Sequence, residues 1–192
     1  MIDYQKISNS VNFYEQYGFI PIEVPWVVNK KFINITLPYK CLPTMLSDNN
    51  CLVGSAEQSF LKLLYNKLLK KGYYQAITPC FRDDEEDYLH KKWFIKNELI
   101  ATKDVNNKNL HKIIKIAYDF FNQYIPNLVV IQTESPKIAK CNFDIMYNNI
   151  ELGSYGIRNY QGLKWIYATG CAEPRLSIAI QHYLKKEKLY DS

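Results

Sequence analysis

Two apolar runs, Tyr74 to Phe81 and Trp93 to Ile100, flank one polar stretch from Arg82 to Lys92. Aromatic and β-branched runs of this length, joined by a polar loop, read as an antiparallel strand pair. A second pair follows: Phe143 to Tyr147 and Ile150 to Gly153 are separated only by Asn148-Asn149, a tight-turn signal. Leu128 to Gln132 and Trp165 to Thr169 read as further strands. Phe19 to Val24 reads as one more, stopped by Pro25.

Helical periodicity lies between these strands. Ile7 to Tyr17 places Ile7, Val11 and Tyr14 on one face and ends at Gly18. Ala56 to Lys70 repeats Phe60, Leu63, Leu64 and Leu68, with Ser55 and Gln58 as a capping box. Leu110 to Tyr124 carries Leu110, Ile113, Ile114, Ala117, Phe120 and Phe121 as its apolar set. Pro174 suits the first turn of a last helix running to about Lys186. Asn29 to Asn50 reads as irregular, with a strand-like piece at Phe32 to Leu37. Hairpin-joined strands with helices between them predict an α+β domain with a mainly antiparallel sheet. A doubly wound parallel sheet needs regular βα alternation, which is absent.

The chain of 192 residues suits a single domain spanning 1–192. With 47% hydrophobic and 22% charged residues it has the makeup of a packed globular domain, which argues against disorder. A net charge of +5 is compatible with phosphate-bearing ligands but does not establish them. Lys67, Lys70 and Lys71 read as a solvated helix face. The 5 cysteines form no CxxC pair, which argues against a zinc site. Their odd number, with no leader at the N-terminus, predicts reduced thiols and a cytoplasmic protein. No apolar run approaches the ~18 residues of a membrane span.

Arg82 stands where a strand meets a loop, followed by Asp83, Asp84, Glu85, Glu86 and Asp87. A guanidinium fork binds phosphate or carboxylate bidentately, and neighbouring acids orient it. The same residues also fit a plain solvated loop. Spacing over distance separates these readings. The set Phe81-Arg82-x-Asp84, His90-x-x-x-Phe94 and Glu98 resembles motif 2 of the class II aminoacyl-tRNA synthetases, in its lysyl-type arrangement. The resemblance implies that Arg82 grips the α-phosphate of ATP and the amino-acid carboxylate. It implies that His90 reaches the γ-phosphate, that Phe94 stacks on adenine and that Glu98 serves the amino acid. Asp84 stands where the family has Glu, as a partner of Arg82 or of the adenine amino group.

Other stretches follow in the family's order. Tyr17-Gly18-Phe19 and Val24-Pro25 resemble motif 1, which implies a homodimer with twofold symmetry. Ser55-Ala56-Glu57 resembles the loop whose Glu receives the substrate's α-ammonium; a helix cap with an acid in its first turn explains the same residues. The stretch Asp144 to Arg158 resembles aspartyl-tRNA synthetases, and Ser154-Tyr-Gly156-Ile-Arg158 also resembles ammonia-dependent asparagine synthetase. By that resemblance Asp144 and Glu151 hold Mg²⁺ on the ATP phosphates. Arg158 pairs with an aspartate-like or asparagine-like side chain; a surface salt bridge is its plain alternative. Ala168-x-Gly170-x-Ala172-x-x-Arg175 resembles motif 3, with two Ala where the family has Gly. Arg175 then covers the adenine face opposite Phe94, and the small residues let backbone pass close to ATP.

The expectation is a catalytic domain without an anticodon-binding domain. It would join ATP and an amino acid into an aminoacyl-adenylate, with Arg82 and Arg175 as catalytic residues. The acceptor would be tRNA, ammonia, or a protein or small-molecule amine. The competing expectation is a non-catalytic relative that dimerises or binds RNA.

Overall fold

The computed structural model describes residues 1–37, 41–83, 86–134 and 139–190. Its N-terminal elements are α1 (Tyr4–Glu15), β1 (Ile20–Pro21), β2 (Val27–Asn29), α2 (Lys30–Thr36) and β3 (Asn50–Leu52). The middle holds α3 (Ala56–Tyr65), β4 (Tyr73–Phe81), β5 (Trp93–Ala101) and α4 (Asn107–Asn122). The last are β6 (Val129–Thr133), β7 (Ala139–Tyr147), β8 (Ile150–Tyr160), β9 (Leu163–Glu173) and α5 (Arg175–Tyr190). Seven strands form one sheet in the order β1-β4-β5-β9-β8-β7-β6, and β2 pairs with β3 beside it. All pairings in the large sheet are antiparallel except β1 with β4. This is the α+β, mainly antiparallel architecture expected from the hairpins.

Strand alternation sorts the two faces. On β5, Leu99 and Ala101 join the core beneath α1, α4 and α5, where they meet Tyr14, Leu110, Phe120 and Leu176. Ile100 points the other way, into the core beneath α2 and α3, with Phe32, Phe60 and Trp165. The predicted apolar set of α4 is buried throughout, and Asn106 caps that helix by accepting from the Asn109 N–H. Each such buried large side chain contributes about 1.5–3 kcal/mol. Asn148 takes φ of 51° between β7 and β8, the left-handed conformation that the Asn-Asn turn predicts.

Three elements and one helix cap depart from expectation. Phe32 to Leu37 is helical where a strand was read: Asn29 accepts the Lys31 N–H as an N-cap, and Phe32 and Ile33 pack inward. α3 stops at Tyr65, because Lys67 takes φ of 58° and leaves Leu68 exposed. Gln58 does not complete a capping box; its Oε1 accepts the Gly54 N–H instead. Only Ile20–Pro21 of the first predicted strand joins the sheet, and Phe19 is a core residue.

One irregularity shapes everything downstream. Asn97 pairs with Cys171 and Glu98 with Thr169, so Gly170 is an extra residue in β9. The Tyr14 hydroxyl donates to the Gly170 carbonyl at 2.9 Å. A side chain at Gly170 would meet the Tyr14 ring at 3.0 Å and the Asn97 carbonyl at 3.1 Å. Buried polar bonds fix α1 over this point: Asn97 Nδ2 donates to Ser10 Oγ and Gln75 Oε1, and Gln75 Nε2 donates to the Val11 and Phe19 carbonyls. Among the described residues no helix is long and apolar enough to cross a membrane, and no disulfide joins the cysteines.

Candidate active site

A cavity of about 410 Å³ opens on the face of the sheet that α3 covers only in part. Its floor is the pocket-facing side of β5, β9, β8 and β7. The start of α3 and the loop between β4 and β5 make its walls. Arg82, His90, Phe94, Glu57, Glu98, Arg158, Asp144, Glu151 and Arg175 all line it. Thus nine residues singled out in the sequence, from segments far apart in the chain, meet in one space. Asp84 lies outside the described residues.

At the loop end, Arg82 Nε donates to the Gly54 carbonyl at 3.1 Å and its guanidinium lies 5.2 Å from the Phe94 ring centre. It has no carboxylate partner among the described residues. Asp87 folds the loop back on itself. Its Oδ1 accepts the Leu89 and His90 N–H groups at 2.6 Å, and its Oδ2 lies 2.8 Å from His90 Nδ1. These bonds lower the Asp87 pKa to about 2. The Tyr88 ring stacks on His182 of α5 at 5.9 Å, so the loop rests on the last helix.

The opposite end is closed by charge pairs. Glu57 is nearly buried; one carboxylate oxygen accepts from Arg158 and the other from Trp165 Nε1 at 2.6 Å. The Arg158 guanidinium lies over the Tyr167 ring, 4.0 Å from its centre, and the Tyr167 hydroxyl donates to Asn142. Burial raises the Glu57 pKa and Arg158 opposes that rise, while burial and nearby carboxylates lift the Tyr167 hydroxyl to about 12. Glu57 and Arg158 come from the start of α3 and from β8, and here they bind each other. Glu98 accepts from Ser55 Oγ and pairs with Lys96 at 2.5 Å. Ser55 also caps α3 through the Glu57 N–H, so the cap and the pocket contact coexist.

Asp144 and Glu151 lie on neighbouring strands as the turn predicted. Arg175 Nη1 lies 3.1 Å from Glu151 Oε1. Asp144 Oδ1 is buried without a hydrogen-bond partner. Burial and the Glu151 charge raise the Asp144 pKa, against hydrogen bonds from Ser154 and Thr133. A buried oxygen lacking a donor, beside a second carboxylate, suits a hard divalent cation that takes its remaining ligands from water and phosphate. No group of three or more His, Cys, Asp or Glu forms a metal cage among the described residues.

Arg82 is a cation over the Phe94 ring, and Arg175, which lines the same cavity, is tied to Glu151. Of the small residues of the third motif, Gly170 packs on α1 and Ala168 lies in the core, so only Ala172 faces the cavity. Sequence reading also passed over Lys96, Trp165, Tyr167 and Glu173. Glu173 is fully buried, accepting from Ser177 Oγ at 3.0 Å and from the Asp3 N–H at 3.5 Å. Lys96 and Glu98 were findable together: they are the two charges on β5, two positions apart and so on one face.

The fold is that of a class II synthetase catalytic domain. A pyrrolysyl-tRNA synthetase structure from Desulfitobacterium hafniense is similar with a TM-score of 0.76 and 16% identity, over 93% of this chain and 67% of that one. A second structure of pyrrolysyl-tRNA synthetase from that organism gives 0.74 and 16%, over 94% of this chain and 70% of that one. No protein-family model and no curated protein matches the chain. These neighbours lend no support to the narrower aspartyl or asparaginyl resemblance.

Proposed function

We propose that the cavity binds ATP and an amino acid and joins them as an aminoacyl-adenylate. The observation that supports this best is the convergence of Arg82, Phe94, Arg175, Asp144 and Glu151 on one cavity whose other end holds Glu57 and Glu98. Arg82 is the pocket guanidinium with no carboxylate partner among the described residues, which suits it to a phosphate. Phe94 offers an aromatic face for the base. Asp144 and Glu151 would hold Mg²⁺, which when bound neutralises phosphate charge. Catalysis would be positional and electrostatic: the amino-acid carboxylate is already ionised and needs no general base.

The amino acid would lie toward Glu57, Glu98 and Arg158. An amide-bearing, asparagine-like side chain suits this end better than an acidic one, because Glu57 already neutralises Arg158. The acceptor is a tRNA hydroxyl, or ammonia or another amine. A homodimer is proposed from the exposed apolar residues Ile20, Trp26, Val27 and Ile77 around the groove at β1 and β4.

Calorimetry of ATP with and without Mg²⁺, followed by pyrophosphate exchange with each of the 20 amino acids, tests the reading. Magnesium-dependent ATP binding and exchange with at least one amino acid are expected. Absence of both would overturn it in favour of a non-catalytic module.

A further inference from the structure

Lys96 has no part in the mechanism above, yet it occupies the middle of the cavity floor. It lies on β5 between Phe94 and Glu98, and all three face the cavity. It therefore stands between the proposed adenine site and the proposed amino-acid site. Its cross-strand neighbours, Thr78 and Ala172, are short and leave its long side chain room. The side chain is only 10% exposed. Its ammonium carries three protons, and Glu98, at 2.5 Å, is its partner among the described residues. That carboxylate oxygen is shared, since Ser55 Oγ donates to it as well. Arg82 lines the same cavity. A desolvated ammonium with one shared carboxylate has unspent hydrogen-bonding capacity directed at the cavity.

We propose that Lys96 is a substrate-contacting residue whose ammonium holds the amino acid's α-carboxylate where it meets the α-phosphate of ATP. This rests on the adenylate-forming reading. In the step, one carboxylate oxygen forms a bond to the α-phosphorus. The bond from that phosphorus to the bridging oxygen breaks, and pyrophosphate leaves with the electron pair. Lys96 keeps its protons throughout. With Arg82 it offsets the repulsion between the incoming carboxylate and the triphosphate, while Glu98 fixes its direction. The competing role for Lys96 is structural, as a counter-charge for Glu98.

The test compares wild type with Lys96→Met, Lys96→Gln and Lys96→Arg. ATP·Mg affinity is read by calorimetry and amino-acid half-saturation by pyrophosphate exchange with a mixture of the 20 amino acids. Lys96→Met and Lys96→Gln are expected to keep ATP affinity within about threefold while raising the amino-acid half-saturation at least about tenfold, and Lys96→Arg to recover most of the loss. Lys96→Gln retains a hydrogen bond to Glu98, so it guards against a folding defect in Lys96→Met. Unchanged exchange in either neutral variant overturns the proposal. So does a parallel loss of ATP binding and exchange, which marks a structural role. A wild-type chain that binds ATP but exchanges with no amino acid overturns the adenylate reading, and this proposal with it.

Discussion

Glu57 and Arg158, 101 positions apart in the chain, hold each other at the closed end of the cavity. Both are nearly desolvated, so each stabilises the other only as long as both are present. Glu57→Gln leaves the guanidinium without a carboxylate and is expected to cost about 3–5 kcal/mol. Glu57→Gln combined with Arg158→Met removes both charges and should recover most of that loss. Urea unfolding of the two variants measures the difference. Equal losses in the single and double variants would show that the pair does not act as a unit.

Asp144 behaves differently, because one of its carboxylate oxygens is buried without a donor. Its folded pKa is raised above the ordinary 3.8 by burial and by Glu151. The native state therefore binds a proton more tightly than the unfolded chain, and this group's contribution to stability falls as pH rises from 3.8 through the raised value. Asp144→Asn should remove that slope and raise the midpoint at neutral pH by about 2–4 °C, near ~1 kcal/mol. Thermal melts of both proteins from weakly acidic to neutral pH give the comparison. The same variant should lose the magnesium dependence of ATP binding.

Gly156 is constrained by its neighbours rather than by its torsions. A side chain there would meet the Cys141 carbonyl at 2.5 Å and the Tyr167 ring at 2.7 Å. Gly156→Ala must displace the ring on which Arg158 lies. A stability loss of about 1–3 kcal/mol is expected from overpacking. Amino-acid half-saturation should rise more than ATP half-saturation, a split that exchange kinetics would resolve.

Tyr14→Phe removes the hydroxyl that donates to the Gly170 carbonyl while keeping the ring buried. The expected cost is about 1–3 kcal/mol for a buried acceptor that loses its donor. Denaturant unfolding reads it directly. No change in stability would mean that the bulge holds its shape without α1.

The parts of this fold that were legible in the sequence are those where one local force dominates. The β4–β5 pair, the Asn148 turn and the apolar stripe of α4 follow from alternation, turn chemistry and helical spacing. α2 was missed because Ile33, Ile35 and Thr36 favour strands, and packing of Phe32 and Ile33 under α3 overrides that preference. β8 and β9 run well past their predicted ends because their cavity-facing residues, such as Ser154, Arg158 and Thr169, are polar. Alternation of apolar and polar residues fails where both faces of a strand are covered and one of them lines a site. The candidate site was found through spaced motifs, yet its pairing was not. Nothing in the order of residues says that Glu57 meets Arg158, or that Lys96 meets Glu98; only the sheet brings them together.

The extra residue at Gly170 changes the parity of β9. Ahead of it Tyr167 and Thr169 face the cavity; after it Ala172 does, while Cys171 falls into the core. A one-residue deletion there would exchange inside for outside over the three residues leading to Pro174. It would send Cys171 toward the cavity and bury Ala172, and it would rotate the origin of α5 with Arg175 on it. The bulge thus works as a frame shift written in the backbone, and it sets where the last guanidinium of the site begins.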